Sequence, residues 1–372
     1  MRRLGNTVRR LTALRRAMPS AMTDQDGRLD TMTGFGSNPG ALDAQVYVPD
    51  ELPKGAALVV VLHGCTQNAS VYDRGSGWSK LADRHGFALL FPQQRRANNP
   101  NLCFNWYVPG DARRSQGEAL SISQMVRHMT QKHQIDPERV FITGLSAGGA
   151  MTSVMLAAYP ELFAGGAIIA GLPFATANTL PEALDRMRAQ GTPPRRELAA
   201  RARAAAPQGA ERPTLSVWHG TRDTIVDSAN AVAIVDQWRD LHGLGATAGV
   251  VEIADGHRRE VWRDAVGRDF IEKYDVQGMG HGTPIDTRGS EACGTAGPHM
   301  LEANICSTRR IAEFWGLVGP QKAVREPRRA AVQLEAMPTV PMPATPAISM
   351  PQRSSRVGEV IEDALRAAGL MR

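Results

Sequence analysis

Between residues 41 and 276 the chain alternates two kinds of apolar pattern. "ALDAQVYVP" (41–49) alternates like an edge strand. "ALVVVLHG" (57–64), "FALLFP" (87–92), "RVFITG" (139–144) and "GGAIIAG" (165–171) are nearly continuous apolar runs, the mark of strands buried on both faces. "TLSVWHG" (214–220) reads as a further strand, and strand-like segments follow at 249–254, 258–263 and 269–276. Helical spacing fills the gaps. "SKLADRHG" (79–86) is a short helix closing on Gly86, and residues 117–133 carry Leu120, Ile122, Met125, Val126 and Met129 at near-helical intervals. "AGGAMTSVMLAAYP" (147–160) is an apolar helix, "ANAVAIVDQWRDLHG" (229–243) an amphipathic one, and another is expected near 304–316. Buried strands alternating with helices predict an α/β fold with an open, mostly parallel sheet and helices on both faces. Residues 178–212, with "PEALDRMR" and "ELAARARAAA", interrupt the alternation as a helical excursion over the sheet edge, a candidate lid.

The length of 372 residues suits one large α/β domain with appendages. The expected division is a basic arm (1–32), a catalytic domain (33–320), a proline-rich linker (321–355, "MPTVPMPATPAISMP") and a C-terminal amphipathic helix (356–372). Net charge is +6, and the first sixteen residues hold six arginines and no acid, so the remainder is neutral. A nucleic-acid partner would rest on the arm alone and is not expected. Leu4, Val8, Leu11 and Leu14 give the arm helical spacing. It either docks or frays, or it touches an anionic or lipid-like surface such as a storage granule. No apolar stretch of secretory or transmembrane type follows, which makes the cytoplasm the default expectation. Cys65, Cys103, Cys293 and Cys306 are few, dispersed and without CxxC spacing, so neither a disulfide scaffold nor a zinc site is expected. In a reducing compartment they would be four free thiols; the alternative is a bridge between Cys65 and Cys103.

"RVFITGLSAGGAM" (139–151) carries the chemistry. Each glycine costs a helix about 1 kcal/mol against alanine, so three around one serine need a reason. Gly-x-Ser-x-Gly between a buried strand and a helix is a nucleophile elbow, and Ser146 is its nucleophile. A serine hydroxyl needs a base oriented by a carboxylate, and in α/β-hydrolases the acid and then the histidine follow it along the chain. Asp223, in "VWHGTRDTIVD", stands nearest a strand end; Asp227 is the competitor but better suited to cap the next helix. Of His242, His257, His281 and His299, His281 in the glycine-flanked "QGMGHGTP" best fits an exposed imidazole, whereas His242 and His257 read as surface residues. The backbone N–H groups of Ala147 and of Cys65, after His63-Gly64, are the candidate oxyanion donors. A cysteine hydrolase built on Cys65 and His63 is disfavoured, because Cys65 then acts through its backbone.

The motifs "LHGCTQ", "NPNLCFNW", "GLSAGGAM", "YPELFAGGAIIAGLPF", "SVWHGTRDTIVD" and "GMGHGTP", in this order across residues 33–318, resemble the poly(3-hydroxybutyrate) depolymerase esterases, a family that includes feruloyl and acetylxylan esterases. The resemblance implies an α/β-hydrolase fold, a Ser146–Asp223–His281 triad and hydrolysis of carboxylic esters without metal or cofactor. It also admits an extracellular location, since polymer-degrading members are secreted. Trp106 lies within a family motif, and Trp106, Leu172 and Phe174 are candidate walls of the acyl pocket, with core packing as the alternative for each. The expected function is a serine esterase acting on short-chain or 3-hydroxyacyl esters, small or oligomeric. Feruloyl or acetylxylan esterase activity is the alternative, and a non-catalytic scaffold binding a granule or surface is the minor one.

Overall fold

A computed structural model describes residues 27–245, 247–264, 267–288 and 292–318. The first 26 residues of the arm, the proline-rich linker and the C-terminal helix lie outside them.

Ten strands form the main sheet: β1 (Asp30–Thr31), β2 (Asp43–Tyr47), β3 (Leu58–Leu62), β4 (Ala88–Gln93), β5 (Val140–Leu145), β6 (Gly165–Ile169), β7 (Thr214–Gly220), β8 (Val250–Ala254), β9 (His257–Arg263) and β10 (Asp269–Val276). Their spatial order is β1-β2-β4-β3-β5-β6-β7-β10-β9-β8. The six central strands, β4 to β10 in that order, run parallel, and the pairs outside them are antiparallel. The expected edge strand β2 is therefore covered by the two-residue β1.

The apolar runs are buried on both faces because successive side chains enter different clusters. Leu58, Val60 and Leu62 of β3 join one, and Val59 and Val61 the other. The first cluster lies under α3 (Gly117–Lys132), α4 (Ala147–Ala158) and α7 (Ala229–Leu241). The second lies under α1 (Ala69–Ser76), α2 (Trp78–His85) and α8 (Ser307–Phe314). Each fully buried valine or leucine contributes about 1.5–3 kcal/mol, so this double packing makes the central strands a rigid frame for the loops at their ends. Gly86 closes α2 in the left-handed conformation, at φ 68°.

The insertion at 178–212 forms α5 (Leu180–Met187) and α6 (Arg195–Ala205). They pack into the first helical layer, where Gln237 Nε2 of α7 donates to the carbonyl of Leu198 (2.9 Å) and Asn230 Nδ2 donates to that of Arg186 (2.9 Å). Two further features had no counterpart in the sequence reading. A parallel pair, β11 (Thr283–Ile285) and β12 (Met300–Glu302), follows the main sheet, and a Cys293–Cys306 disulfide ties the connection between these two strands to the start of α8. Among the described residues no helix is long and apolar enough to cross a membrane.

Candidate active site

β5 ends on Ser146, whose backbone (φ 56°, ψ −117°) lies where side-chain-bearing residues are strained. The glycines around it explain why the turn can close. A β-carbon on Gly144 would collide with the carbonyl of Gly148, and one on Gly148 with those of Leu62 and His63. The turn is held by Ser146 N–H on Ile169 O (2.9 Å) and Ala150 N–H on Ser146 O (2.8 Å). Ser146 remains half-buried at the head of α4, where the first N–H groups of the helix have no intrahelical acceptor.

The loop after β7 brings in Asp223. Its side chain is fully buried (0% exposed), with Oδ1 accepting from the N–H groups of Ile225 and Val226 (2.9 Å each). Oδ2 receives Nδ1 of His281 at 2.7 Å. Burial alone would push this carboxyl up, but hydrogen bonds from His219, His281 and Val226 N–H outweigh it and hold Asp223 well below the usual carboxylate range. Asp227 caps α7, accepting from Ala229 N–H at 2.8 Å.

His281 arrives on the loop after β10, with its side chain only 7% exposed. Its carbonyl accepts from His299 Nδ1 (3.1 Å), and the two rings meet edge to face at 5.7 Å. Because β5, β6, β7 and β10 are parallel neighbours, the Ser146, Asp223 and His281 loops leave the same edge of the sheet. Asp223 and His281 are thus in contact. Ser146 and His281 share that edge without a hydrogen bond between them among the described residues; such contacts commonly tighten only with substrate in place. The other histidines serve elsewhere. His242 Nε2 bonds Pro213 O (3.0 Å), and burial lowers its pKa to about 4. His257, expected in a surface turn, is instead buried, bridging Ala303 O (2.8 Å) and Gln277 N–H (3.1 Å).

The loop after β3 is tied from several sides. Gly64 N–H donates to Gln67 Oε1 (2.9 Å), Thr66 N–H to Asn101 O (2.7 Å), and Gln94 N–H to His63 Nε2 (3.1 Å). Burial lowers the pKa of His63 to about 4. Cys65 is bonded to Cys103, which removes its thiol and with it the cysteine-hydrolase alternative. The expectation of four free thiols is overturned: Cys293 pairs with Cys306, and no cysteine is free. Asn101 and Cys103 belong to one loop, so the backbone bond at Thr66 and the bridge at Cys65 fasten the same two segments. Among the described residues the N–H of Cys65 has no acceptor.

Trp106, Leu172 and Phe174 are all buried in the first apolar cluster. Trp106 meets Tyr107 edge-on (5.5 Å), while Gln237 brackets Phe174 by accepting from its N–H and donating to its carbonyl (3.1 Å each).

Residues 44–263 match the family described as "Esterase PHB depolymerase". The chain belongs to this family. As one of the esterase PHB depolymerases it is a carboxylic ester hydrolase of the serine type with an α/β-hydrolase fold. Poly(3-hydroxyalkanoate) depolymerase C of Paucimonas lemoignei is 45% identical over 294 residues, covering 78% of this chain and 70% of that protein. Feruloyl esterase B of Talaromyces stipitatus is 31% identical over 69% of this chain and 73% of its own length. Acetylxylan esterase of Coprinopsis cinerea is 32% identical over 72% of both. The solved acetyl xylan esterase from Aspergillus awamori shares the fold, with TM-score 0.65 and 23% identity over 78% of this chain and all of that one.

Within this esterase, His219 escaped the sequence reading, because it sits inside an apolar run and looks like a core residue. The available signal for His219 was its position four residues before Asp223, at the end of a strand.

Proposed function

We propose that Ser146, His281 and Asp223 act as one triad, with the N–H groups of Cys65 and Ala147 as oxyanion donors. The observation that carries this reading is the 2.7 Å bond from His281 Nδ1 to Asp223 Oδ2, on the sheet edge that also bears the Ser146 elbow. His281 Nε2 takes the proton of Ser146 as its hydroxyl attacks the ester carbonyl, and Asp223 stabilises the imidazolium. The two N–H groups receive the negative oxygen of the tetrahedral intermediate. The imidazolium then protonates the leaving alcohol. Water, deprotonated by the same ring, releases the acid from the acyl-enzyme.

The proposed substrates are short-chain or 3-hydroxyacyl esters, supported by the 45% identity to a poly(3-hydroxyalkanoate) depolymerase. Feruloyl and acetylxylan esters are the second reading, favoured by relatives at 31% and 32%. In this reading Trp106, Leu172 and Phe174 form walls of the acyl pocket. In this reading the arginine-rich arm contacts the surface of an ester polymer or granule, and no nucleic acid is a partner. Two disulfides favour an oxidising compartment over the cytoplasm. Alkylation of thiols in protein taken from each cell fraction tests that placement.

The test of function is a substrate panel with a hydroxybutyrate trimer, p-nitrophenyl butyrate, methyl ferulate and acetylated xylan. The trimer should give the highest kcat/KM, and Ser146→Ala should abolish turnover of all four. A fluorophosphonate that fails to label the native enzyme at Ser146 would leave the non-catalytic scaffold as the better account.

A further inference from the structure

We propose that His219 is a positioning residue for this site, clamping Asp223 so that its Oδ2 stays aimed at His281; the inference rests on the triad reading above. His219 is the penultimate residue of β7, and its side chain is 1% exposed. Its Nε2 lies 2.8 Å from the carbonyl of Val226 and 3.3 Å from Asp223 Oδ2. Both neighbours are acceptors, so Nε2 carries the proton and shares it between them. The opposite nitrogen, Nδ1, is buried with no hydrogen-bond partner among the described residues.

An unpaired buried nitrogen is unfavourable, and an apolar side chain could fill the same space without it. What the imidazole adds is one donor, bonded to the Val226 carbonyl at 2.8 Å and lying 3.3 Å from the carboxylate. Asp223 is then held on every side: Ile225 and Val226 N–H on Oδ1, His281 and His219 on Oδ2. The Val226 contact also fixes the end of the loop that carries the acid. Without His219, Oδ2 would keep His281 as its one side-chain donor and could pivot with it.

The donor has a second effect. Its N–H dipole draws charge from Oδ2, weakening the hold of Asp223 on an imidazolium at position 281. The titratable groups facing this array are His219 on β7, Asp223 on its loop, His281 after β10, and His299, whose ring meets His281 at 5.7 Å. Removing the His219 donor should therefore raise the pH of the acid limb of kcat/KM.

The experiment compares His219→Gln, His219→Asn and His219→Leu. A glutamine amide nitrogen reaches the place of Nε2; an asparagine nitrogen stops near that of Nδ1 and points away. Leucine and asparagine should lower kcat by about tenfold with KM within about twofold, and shift the acid limb upward by about half a pH unit. Glutamine should restore most of kcat and the original limb. A merely structural role would move the melting temperature without separating glutamine from asparagine. Equal kcat and equal acid limbs in those two variants would overturn the proposal, even if the leucine variant fails to fold. His281→Ala serves as the reference. If it keeps native kcat the triad reading fails, whereas an inactive His281→Ala beside native-like His219 variants removes this inference alone.

Discussion

The α-carbon of Gly220 lies against the carbonyl oxygen of Gly280, with that of Met279 beside it, so closely that neither leaves room for a β-carbon. Around this contact Thr221 N–H bonds Val276 O (3.0 Å), Arg222 N–H bonds Met279 O (2.9 Å) and Gly278 N–H bonds Thr221 Oγ1 (2.9 Å). The loops that carry Asp223 and His281 are thus joined near their roots as well as through their side chains.

Gly220→Ala should push these two loops apart. A displacement near 1 Å can cost about a hundredfold in rate, so kcat should fall between about ten- and a hundredfold. Substrate KM should change less than kcat, because the change acts on the Asp223–His281 pair. Native-like kcat in a folded Gly220→Ala protein would show that the contact does not set the geometry of the pair.

Glu118, in the first turn of α3, is buried and accepts from Asn105 N–H and Gln94 Nε2. Burial pushes its pKa up to about 8. An exposed glutamate titrates near 4.3. The folded protein therefore holds this proton over a range in which the unfolded chain has lost it. Its stabilising effect is complete below about pH 4.3 and is lost as pH rises through about 8, with a span on the order of 5 kcal/mol. Melting temperatures should fall between pH 5 and pH 9, and Glu118→Gln should flatten that slope. Parallel slopes for the two proteins would assign it to other groups.

The Cys65–Cys103 bridge closes a segment with a sequence separation of 38. Replacing both residues by serine should lower stability by about 3–4 kcal/mol, read as a shift in urea midpoint. It should also lower kcat on the proposed oxyanion role of Cys65, because its loop loses one of the two fastenings to the Asn101–Cys103 segment. Unchanged kcat in a destabilised double variant would mean that the Thr66–Asn101 bond alone holds the loop.

The central sheet was legible because β3, β5 and β6 are buried on both faces, which leaves Thr143 as the one polar side chain in the three runs. The elbow was legible for the opposite reason: its glycines violate helix preference and point to close backbone approach. Where a residue's role depends on distant neighbours, sequence pattern loses it. His219 stands in an apolar run as any core residue would, and its use appears once Asp223 and Val226 fold back over it. The cysteines misled because spacing carries no information on which loops meet. The Cys65 loop finds its partner through Asn101, and Cys293 meets Cys306 beside two strands of three residues each, too short for any periodicity to register. His257 was read as a turn residue, yet it opens β9 and is covered by the segments around Gln277 and Ala303.

The position of β10 has a consequence for the history of each molecule. It lies between β7 and the β8–β9 hairpin, although both precede it in the chain. A nascent polypeptide that has emerged only as far as residue 263 therefore lacks the strand between β7 and β9, and with it the segment that carries His281. The strand that fills the gap leads into His281, so on the proposed triad the capacity to cut esters is acquired in the same event that completes the architecture.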